Sequence, residues 1–174
     1  MDLSKTLAEL AAFERRAIML YRAYAERFAV NPAVSRLWSE MSEVEAGHFA
    51  TLTLAGDLLE LPGNIALNGV SLPAPPTDAT EALYRGAEAS IAGSLELATA
   101  VETAFRLEQN ELPWIRTLLA ALAGRARASI LTGVLPAFAT HLDCLETLAI
   151  MSGRTDLTVQ IQALQAEATS LRRG

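Results

Sequence analysis

The stretch FAVNPAVSRLW, residues 28–38, marks the boundary between two long helical segments. Asn31 is a typical helix N-cap, because its side-chain oxygen accepts a hydrogen bond from a free backbone N–H of the first turn. Pro32 suits the first helical position, where no backbone N–H is needed. The pair therefore predicts that one helix ends just before Asn31 and that another begins at Pro32.

The segments on both sides of this boundary have helical periodicity. The upstream segment begins at about Thr6, which forms a capping box with Glu9, and extends to about Phe28. The downstream segment runs from Pro32 to about Leu59. Because only a few residues separate the two helices, we expect an antiparallel helical hairpin. The apolar stripe of the upstream helix consists of Leu7, Leu10, Ala11, Ala17, Ile18, Tyr21, Ala25 and Phe28.

A long connection follows the second helix. The stretch LPGNIALNGVSLPAPPTD, residues 61–78, contains four prolines and two glycines. It is too long for the turn between neighbouring helices of a bundle, which usually takes about 2–8 residues. We therefore expect this segment to cross from one end of a helical bundle to the other.

Further helices are predicted after the crossover. Asp78 caps a short helix that leads into a third long helix, centred on LELATAVETAFRLEQNEL, which Pro113 is expected to kink or end. A fourth long helix is predicted over residues 126–151, with a kink at Pro136. The pair Ser152–Gly153 is expected to end that helix.

Two helical hairpins joined by one long crossover form the architecture of ferritin-like four-helix bundles. We therefore predict an all-α fold with the bundle in residues 1–153 and the crossover at about 61–78. Residues 154–174 belong to the same domain. They contain a fifth amphipathic helix, over 156–171, which is expected to dock on the bundle or on a partner chain.

The composition excludes several classes of protein. The chain has 174 residues, of which 51% are hydrophobic, and this excludes a disordered chain. A net charge of −6 argues against a surface for nucleic acid or for an anionic membrane. No apolar run approaches the ~20 residues that span a bilayer, the N-terminal segment lacks a secretory pattern, and the single cysteine, Cys144, suits a reducing compartment. We expect a cytoplasmic protein.

Polar side chains interrupt the apolar stripes near the middle of each long helix. A buried, unpaired carboxylate costs several kcal/mol or becomes protonated, and neighbouring carboxylates repel one another. A divalent cation turns that repulsion into attraction. Imidazole and carboxylate donors together suit iron, manganese or zinc. The candidate metal ligands are Glu14, Glu45, His48, Glu102 and His141.

At these positions the chain resembles the rubrerythrin branch of the ferritin-like superfamily. In that family the first helix carries a Glu followed seven residues later by a Tyr, matched here by Glu14 and Tyr21. The second helix carries E-x-x-H, matched by Glu45 and His48, and the third carries a further Glu, best matched by Glu102. The resemblance implies a di-iron centre used for peroxide reduction or ferrous oxidation, with Tyr21 beside the metal as a catalytic residue.

The chain also departs from that family, and the resemblance covers roughly residues 5–150. In the second E-x-x-H motif, Phe138 stands where the bridging Glu is expected, while His141 remains; Gln109 stands where a second Tyr is expected. The rubredoxin-like electron-transfer module is absent from this sequence, so an external electron donor would be needed. Three carboxylates carry a charge of −3. That charge suits one divalent ion, or two ions with an added anion, and we predict weakened or mononuclear binding.

Several alternatives stay open at the level of sequence. One alternative is that Glu102 forms an ordinary helical ion pair with Arg106, four residues on. Another is that His141 is a hydrogen-bonded core residue. The leading functional prediction is a rubrerythrin-like, iron-dependent redox or iron-handling protein of the peroxidase or ferroxidase type. The alternative is a non-enzymatic binding or structural module that has lost its metal. In either case a homodimer is expected, because dimers are the commonest assembly.

Overall fold

The computed structural model describes residues 3–60, 77–122 and 134–171. Every regular element in these ranges is an α-helix, which confirms the predicted all-α fold. In chain order the elements are α1 (Leu3–Arg27), α2 (Pro32–Glu60), α3 (Thr77–Ile91), α4 (Leu97–Leu122), α5 (Val134–Met151) and α6 (Thr155–Leu171).

The predicted hairpin between α1 and α2 is confirmed. The Asn31 side-chain oxygen accepts the backbone N–H of Val34 at 3.4 Å, and the Asn31 carbonyl accepts the N–H of Ser35 at 2.9 Å. The Ser35 hydroxyl donates to the carbonyl of Ala25 at 2.9 Å, so the start of α2 is tied to the last turns of α1. Along the rest of their length the two helices share the most extensive helix–helix contact of the described structure.

The remaining helices close a ring around the core. α2 packs against α5, and α5 packs against α4. α3 lies between α1 and α4 and contacts both, while α6 packs on the outside of α5 and α4. The largest fully buried apolar side chains in this core are Tyr21, Tyr24, Trp38, Met41, Leu112, Phe138, Leu142, Leu145, Leu148 and Ile161.

The sequence predicted that Pro113 would either kink or end the third long helix. It does not end α4. The helix continues through it to Leu122. A proline inside a helix costs roughly 3 kcal/mol. The neighbouring side chains of Leu112, Trp114 and Ile115 are all buried, and burial of each stabilises by roughly 1.5–3 kcal/mol. Packing on both sides of the proline therefore outweighs its local cost.

Two sequence predictions fall outside the described residues. The first is the crossover predicted at about 61–78, of which residues 61–76 lie outside the described ranges. Its last residue, Asp78, lies in the first turn of α3. The predicted first turns of the fourth long helix, from 126 onward, also fall outside up to residue 133. Pro136 lies in the first turn of α5.

Gly153 ends α5 in the manner predicted. Its φ of +76° lies in the left-handed region. The N–H of Arg154 donates to the carbonyl of Ala149 at 2.9 Å, and the N–H of Gly153 donates to that of Ile150 at 3.1 Å. These two bonds form a Schellman motif. The motif turns the chain into α6, which docks on the bundle through Leu157, Ile161, Leu164 and Ala168.

None of the helices in the described parts of the chain combines the length and the apolar character that are needed to cross a membrane.

We expect Gly153→Ala to lower the free energy of unfolding by about 1–2 kcal/mol, because a β-carbon opposes the left-handed conformation. Gly56→Ala is the matched control: Gly56 lies inside α2, and nothing stands within 4 Å of an added β-carbon. That control is expected to be neutral or stabilising by up to about 1 kcal/mol. Urea unfolding of both variants measures the effects, and equal values for the two substitutions would contradict the assignment of the helix end.

Candidate metal centre

Six ionisable side chains from four helices meet inside the bundle. α1 and α5 contribute one residue each, and α2 and α4 contribute two each. Five of the six are at least 94% buried, and the sixth, Glu111, is partly buried. We call this group the Glu–His cluster. Its members are Glu14, Glu45, His48, Glu108, Glu111 and His141.

The donor atoms of the Glu–His cluster lie close to one another. Nδ1 of His141 is 3.3 Å from Oε1 of Glu108 and 3.5 Å from Oε1 of Glu45. Nδ1 of His48 is 3.0 Å from Oε2 of Glu45 and 3.9 Å from Oε2 of Glu14. These separations are short enough for neighbouring side chains to share one cation.

Two overlapping sets of three donors satisfy the spacing of a metal site. In each set, one donor atom per residue lies within 4.8 Å of the other two. One set is Glu45, His48 and His141, and the other is Glu14, His48 and Glu111. Because His48 belongs to both, the two sets adjoin each other rather than forming separate sites.

His141 is held in a fixed orientation. Its Nε2–H donates to the carbonyl of Met41 on α2 at 3.0 Å, and its ring is fully buried. Metal-binding histidines are commonly oriented by a backbone carbonyl in this way. The other ring nitrogen, Nδ1, points at the carboxylates without making a hydrogen bond, and Oε2 of Glu108 also lacks a hydrogen-bond partner. Two buried donor atoms of the cluster are therefore available to a ligand.

The buried charges change the pKa values of the cluster. Burial raises the pKa of Glu45 to about 8, although the charge of His141 opposes the rise. Burial, with the neighbouring charge of Glu45, raises the pKa of Glu14, and burial, with the charge of Glu14, raises the pKa of Glu111. Burial alone would lower the pKa of His141, but the carboxylates of Glu45 and Glu108 outweigh burial and raise it. Without a cation, the raised pKa values favour the protonated forms of Glu14, Glu45 and Glu111.

Tyr21 contacts the Glu–His cluster, at the position predicted from the sequence. Its hydroxyl donates to Oε1 of Glu108 at 3.0 Å. Its ring lies edge-on to His141, with 6.2 Å between centroids, and packs on Trp38 at 5.6 Å. Burial, with the charge of Glu108, raises the pKa of Tyr21. The phenol is therefore a protonated hydrogen-bond donor that orients one carboxylate.

Glu102, the fifth ligand predicted from the sequence, is not brought to the cluster. It forms ion pairs with Arg106 on the same helix and with Arg154, whose Nη1 lies 2.9 Å from Oε2 of Glu102. The hydrogen bond from Arg154 lowers the pKa of Glu102. This is the ion-pair alternative that the sequence left open, with a second arginine added at the start of α6.

Glu108 and Glu111 are the residues of α4 that join the cluster, in place of Glu102, the ligand predicted from the sequence. They are three residues apart, so they lie on one face of the helix, and that face also carries the buried Ala104 and Ile115. The E-x-x-E spacing within LEQNEL was the available signal. With these two residues the cluster has four carboxylates instead of three.

The remaining residue of interest on α5 is Phe138, which is fully buried one turn before His141. An apolar ring therefore stands where the rubrerythrin resemblance leads one to expect a carboxylate. Cys144, one turn after His141, is a core residue: its thiol faces Glu40 at 3.9 Å, and burial raises its pKa to about 11. A protonated thiol is a poor metal ligand.

A cavity of about 50 Å³ adjoins the cluster. Its lining includes all four carboxylates, together with Tyr21 and with Tyr84 from α3. Tyr84, which the sequence did not single out, is buried, and burial with the charges of Glu45 and Glu14 raises its pKa.

Comparison of the chain with protein-family models, with curated proteins and with solved structures finds no match in any of the three.

The raised pKa values make the stability of the metal-free protein depend on pH. The folded state holds the proton of Glu45 up to about pH 8, whereas a glutamate in the unfolded chain loses its proton near its ordinary pKa of 4.5. The proton on Glu45 therefore favours the folded state in mild acid, and this stabilisation is lost as the pH rises toward 8. Each such group lowers stability by up to about 1.4 kcal/mol per pH unit in this window.

Thermal unfolding with a chelator present, between about pH 5.5 and pH 8.5, measures this dependence. We expect the melting temperature of the metal-free protein to fall across the window. A flat or rising curve would contradict the buried, repelling carboxylates.

Proposed function

We propose that this protein is a rubrerythrin-like metalloprotein with a ferritin-like bundle, which binds two iron ions in the Glu–His cluster and reacts with peroxide or oxygen. One observation carries the proposal: four carboxylates and two imidazoles converge from four helices inside the bundle, and five of the six are at least 94% buried. A charge of −4 balances two divalent ions. The resemblance around Glu14, Tyr21 and the E-x-x-H motif at Glu45 points to the same class.

The donor set fits iron better than the alkaline-earth ions. Carboxylate oxygens with imidazole nitrogens suit iron, manganese and zinc, whereas magnesium and calcium prefer oxygen donors alone. Two bound ions would neutralise the repulsion among the four carboxylates and would supply partners for Nδ1 of His141 and Oε2 of Glu108. His48 can serve only one of the two donor sets at a time, and the remaining four carboxylates with His141 still provide donors and charge for a second, adjacent ion.

The chain's own residues orient the donor side chains. Met41 fixes the ring of His141 through its carbonyl, and Tyr21 holds one oxygen of Glu108. Phe138 fills the volume beside them with an apolar ring. When bound, reduced iron supplies electrons for peroxide reduction, in which one hydrogen peroxide takes up two electrons and two protons to give two waters. An external donor restores the electrons. The homodimer stays a prediction.

Measuring the metal content of variants tests whether the cluster residues, and not Glu102, bind iron. We expect the wild-type chain, loaded anaerobically with ferrous iron, to hold about two ions. Glu108→Gln keeps the shape and the acceptor for Tyr21 but removes one charge, so iron content is expected to fall by about one ion per chain. Glu102→Gln is the matched control on the same helix, and its iron content is expected to equal that of the wild type.

Stability sharpens this comparison. Without metal, Glu108→Gln is expected to lower the melting temperature, because the carboxylate that faces the ring of His141 at 3.3 Å is gone and the buried imidazolium loses one of its two carboxylate partners. Glu102→Gln loses only surface ion pairs, worth about 0–1 kcal/mol. Elemental analysis and thermal unfolding give both readouts, and a wild type without bound metal, or one that a chelator leaves unchanged in stability, would support the non-enzymatic alternative.

Redox chemistry is tested by spectroscopy on the iron-loaded protein. We expect a ferric absorption band in the near ultraviolet that a reductant bleaches and that hydrogen peroxide restores. Tyr21→Phe removes the hydrogen bond to Glu108 and is expected to slow the recovery by about tenfold or more, with iron content retained. An iron-loaded protein that peroxide and oxygen leave reduced would contradict the proposed activity but not the metal site.

A further inference from the structure

The Glu–His cluster is closed by direct helix packing on three sides of the bundle. α1 packs on α2, α2 on α5, and α5 on α4, and fully buried side chains such as Trp38, Met41 and Leu142 fill these contacts. The fourth side differs: α1 and α4 make few direct contacts, and α3 lies between them. The cavity beside the cluster lies on this side, since residues of α1, α3 and α4 line it.

The cavity leads from buried carboxylates to partly exposed residues. Its inner lining includes Glu45 and Glu108, each about 99% buried. Its outer lining includes Phe13, Thr80 and Asn110, which are only partly buried. Among the described residues, this is the side on which a cavity joins the buried carboxylates to partly exposed side chains.

Tyr84 stands at the middle of this route and is held from three directions. Its hydroxyl donates to the carbonyl of Phe13 at 3.1 Å, and its ring stacks on that of Phe13 with 6.1 Å between centroids. The guanidinium of Arg16 lies over the other part of the ring, 4.8 Å from its centroid. Arg16 also pairs with Glu81 at 2.6 Å and Glu88 at 3.0 Å, and so ties α3 to α1 on both sides of Tyr84.

We infer that Tyr84, clamped by Arg16, is the specificity-determining residue of the entrance to the cluster, and that the entrance admits a small neutral oxidant of the size of hydrogen peroxide or dioxygen. This inference rests on the proposed function. The size limit follows from the cavity of about 50 Å³, because a cavity of about 150 Å³ is what holds a benzene-sized molecule.

Charge supports the choice of a neutral substrate. In the iron-loaded protein the four carboxylates balance two divalent ions, so the cavity carries no excess charge that would draw in an anion. Apolar side chains such as Phe13, Leu107 and Trp114 also line it, and an ion that lost its hydration there would incur a larger free-energy cost than a neutral molecule. Organic hydroperoxides are neutral, and the entrance excludes them by size rather than by charge.

The test compares entrance variants in the iron-loaded protein. Tyr84→Ala opens the entrance, and Tyr84→Phe keeps the ring while removing the bond to the carbonyl of Phe13. Arg16→Gln releases the ion pairs to α3. Phe28→Ala is the matched control, because Phe28 is a partly buried aromatic residue that packs on the core and does not line the cavity.

Two rates are measured for each variant. The first is the ratio of the oxidation rates with hydrogen peroxide and with tert-butyl hydroperoxide, and the second is the rate at which the bulky chelator ferrozine removes ferrous iron. In Tyr84→Ala we expect the ratio to fall, and the removal rate to rise, by about tenfold each. Arg16→Gln is expected to lie between this variant and the wild type, while Tyr84→Phe and Phe28→Ala remain near the wild type.

The outcomes distinguish this inference from the function on which it rests. If Tyr84→Ala folds and binds iron, and both of its rates equal those of the wild type, the inference about the entrance is overturned and the metal site is unaffected. A wild type that binds no iron overturns both. If Tyr84→Ala does not fold, Tyr84→Leu keeps an apolar side chain on α3 and is expected to shift both rates in the same direction by about threefold; no shift in that variant overturns the inference.

Discussion

Electrostatic repulsion among four carboxylates is the constraint that organises the centre of this bundle. Each of the long helices α1, α2 and α4 directs at least one glutamate into a core that is otherwise made of aromatic and aliphatic side chains. A core of that kind stabilises a fold only if something neutralises the charges. In the metal-free protein protons do so, at the cost of a stability that depends on pH. A bound divalent cation would turn the repulsion among the same carboxylates into a link between the helices.

The groups around the carboxylates are arranged to preserve this balance. The Met41 carbonyl holds one nitrogen of His141 and leaves the other facing Glu45 and Glu108. Tyr21 satisfies one oxygen of Glu108 and leaves the second without a partner. These contacts fix side chains that would otherwise turn away from one another. The second glutamate of α4 brings the number of carboxylates in the cluster to four.

Much of the fold, and part of the cluster, could be predicted from local sequence signals. Asn31–Pro32 and Ser152–Gly153 define helix ends through chemistry within a few residues, and both predictions are confirmed. The E-x-x-H spacing put Glu45 and His48 on one face by helical geometry alone. The assignment on α4 failed because its buried face is broad, so periodicity could not decide between Glu102 and Glu108. What decides it is Arg154, which lies 52 residues beyond Glu102 in the chain and pairs with that carboxylate.

The position of α3 between α1 and α4 has a consequence for how such a protein could diverge. The donors lie on helices that pack directly on one another, whereas α3 contributes no donor to the cluster and touches the cavity through Thr80 and Tyr84. Substitutions on α3 could therefore change which molecules reach the centre while the ligand geometry stays intact. On the proposed function, selectivity would depend on Tyr84 and its partner Arg16, neither of which is a donor, so it could change while the metal ligands stay the same.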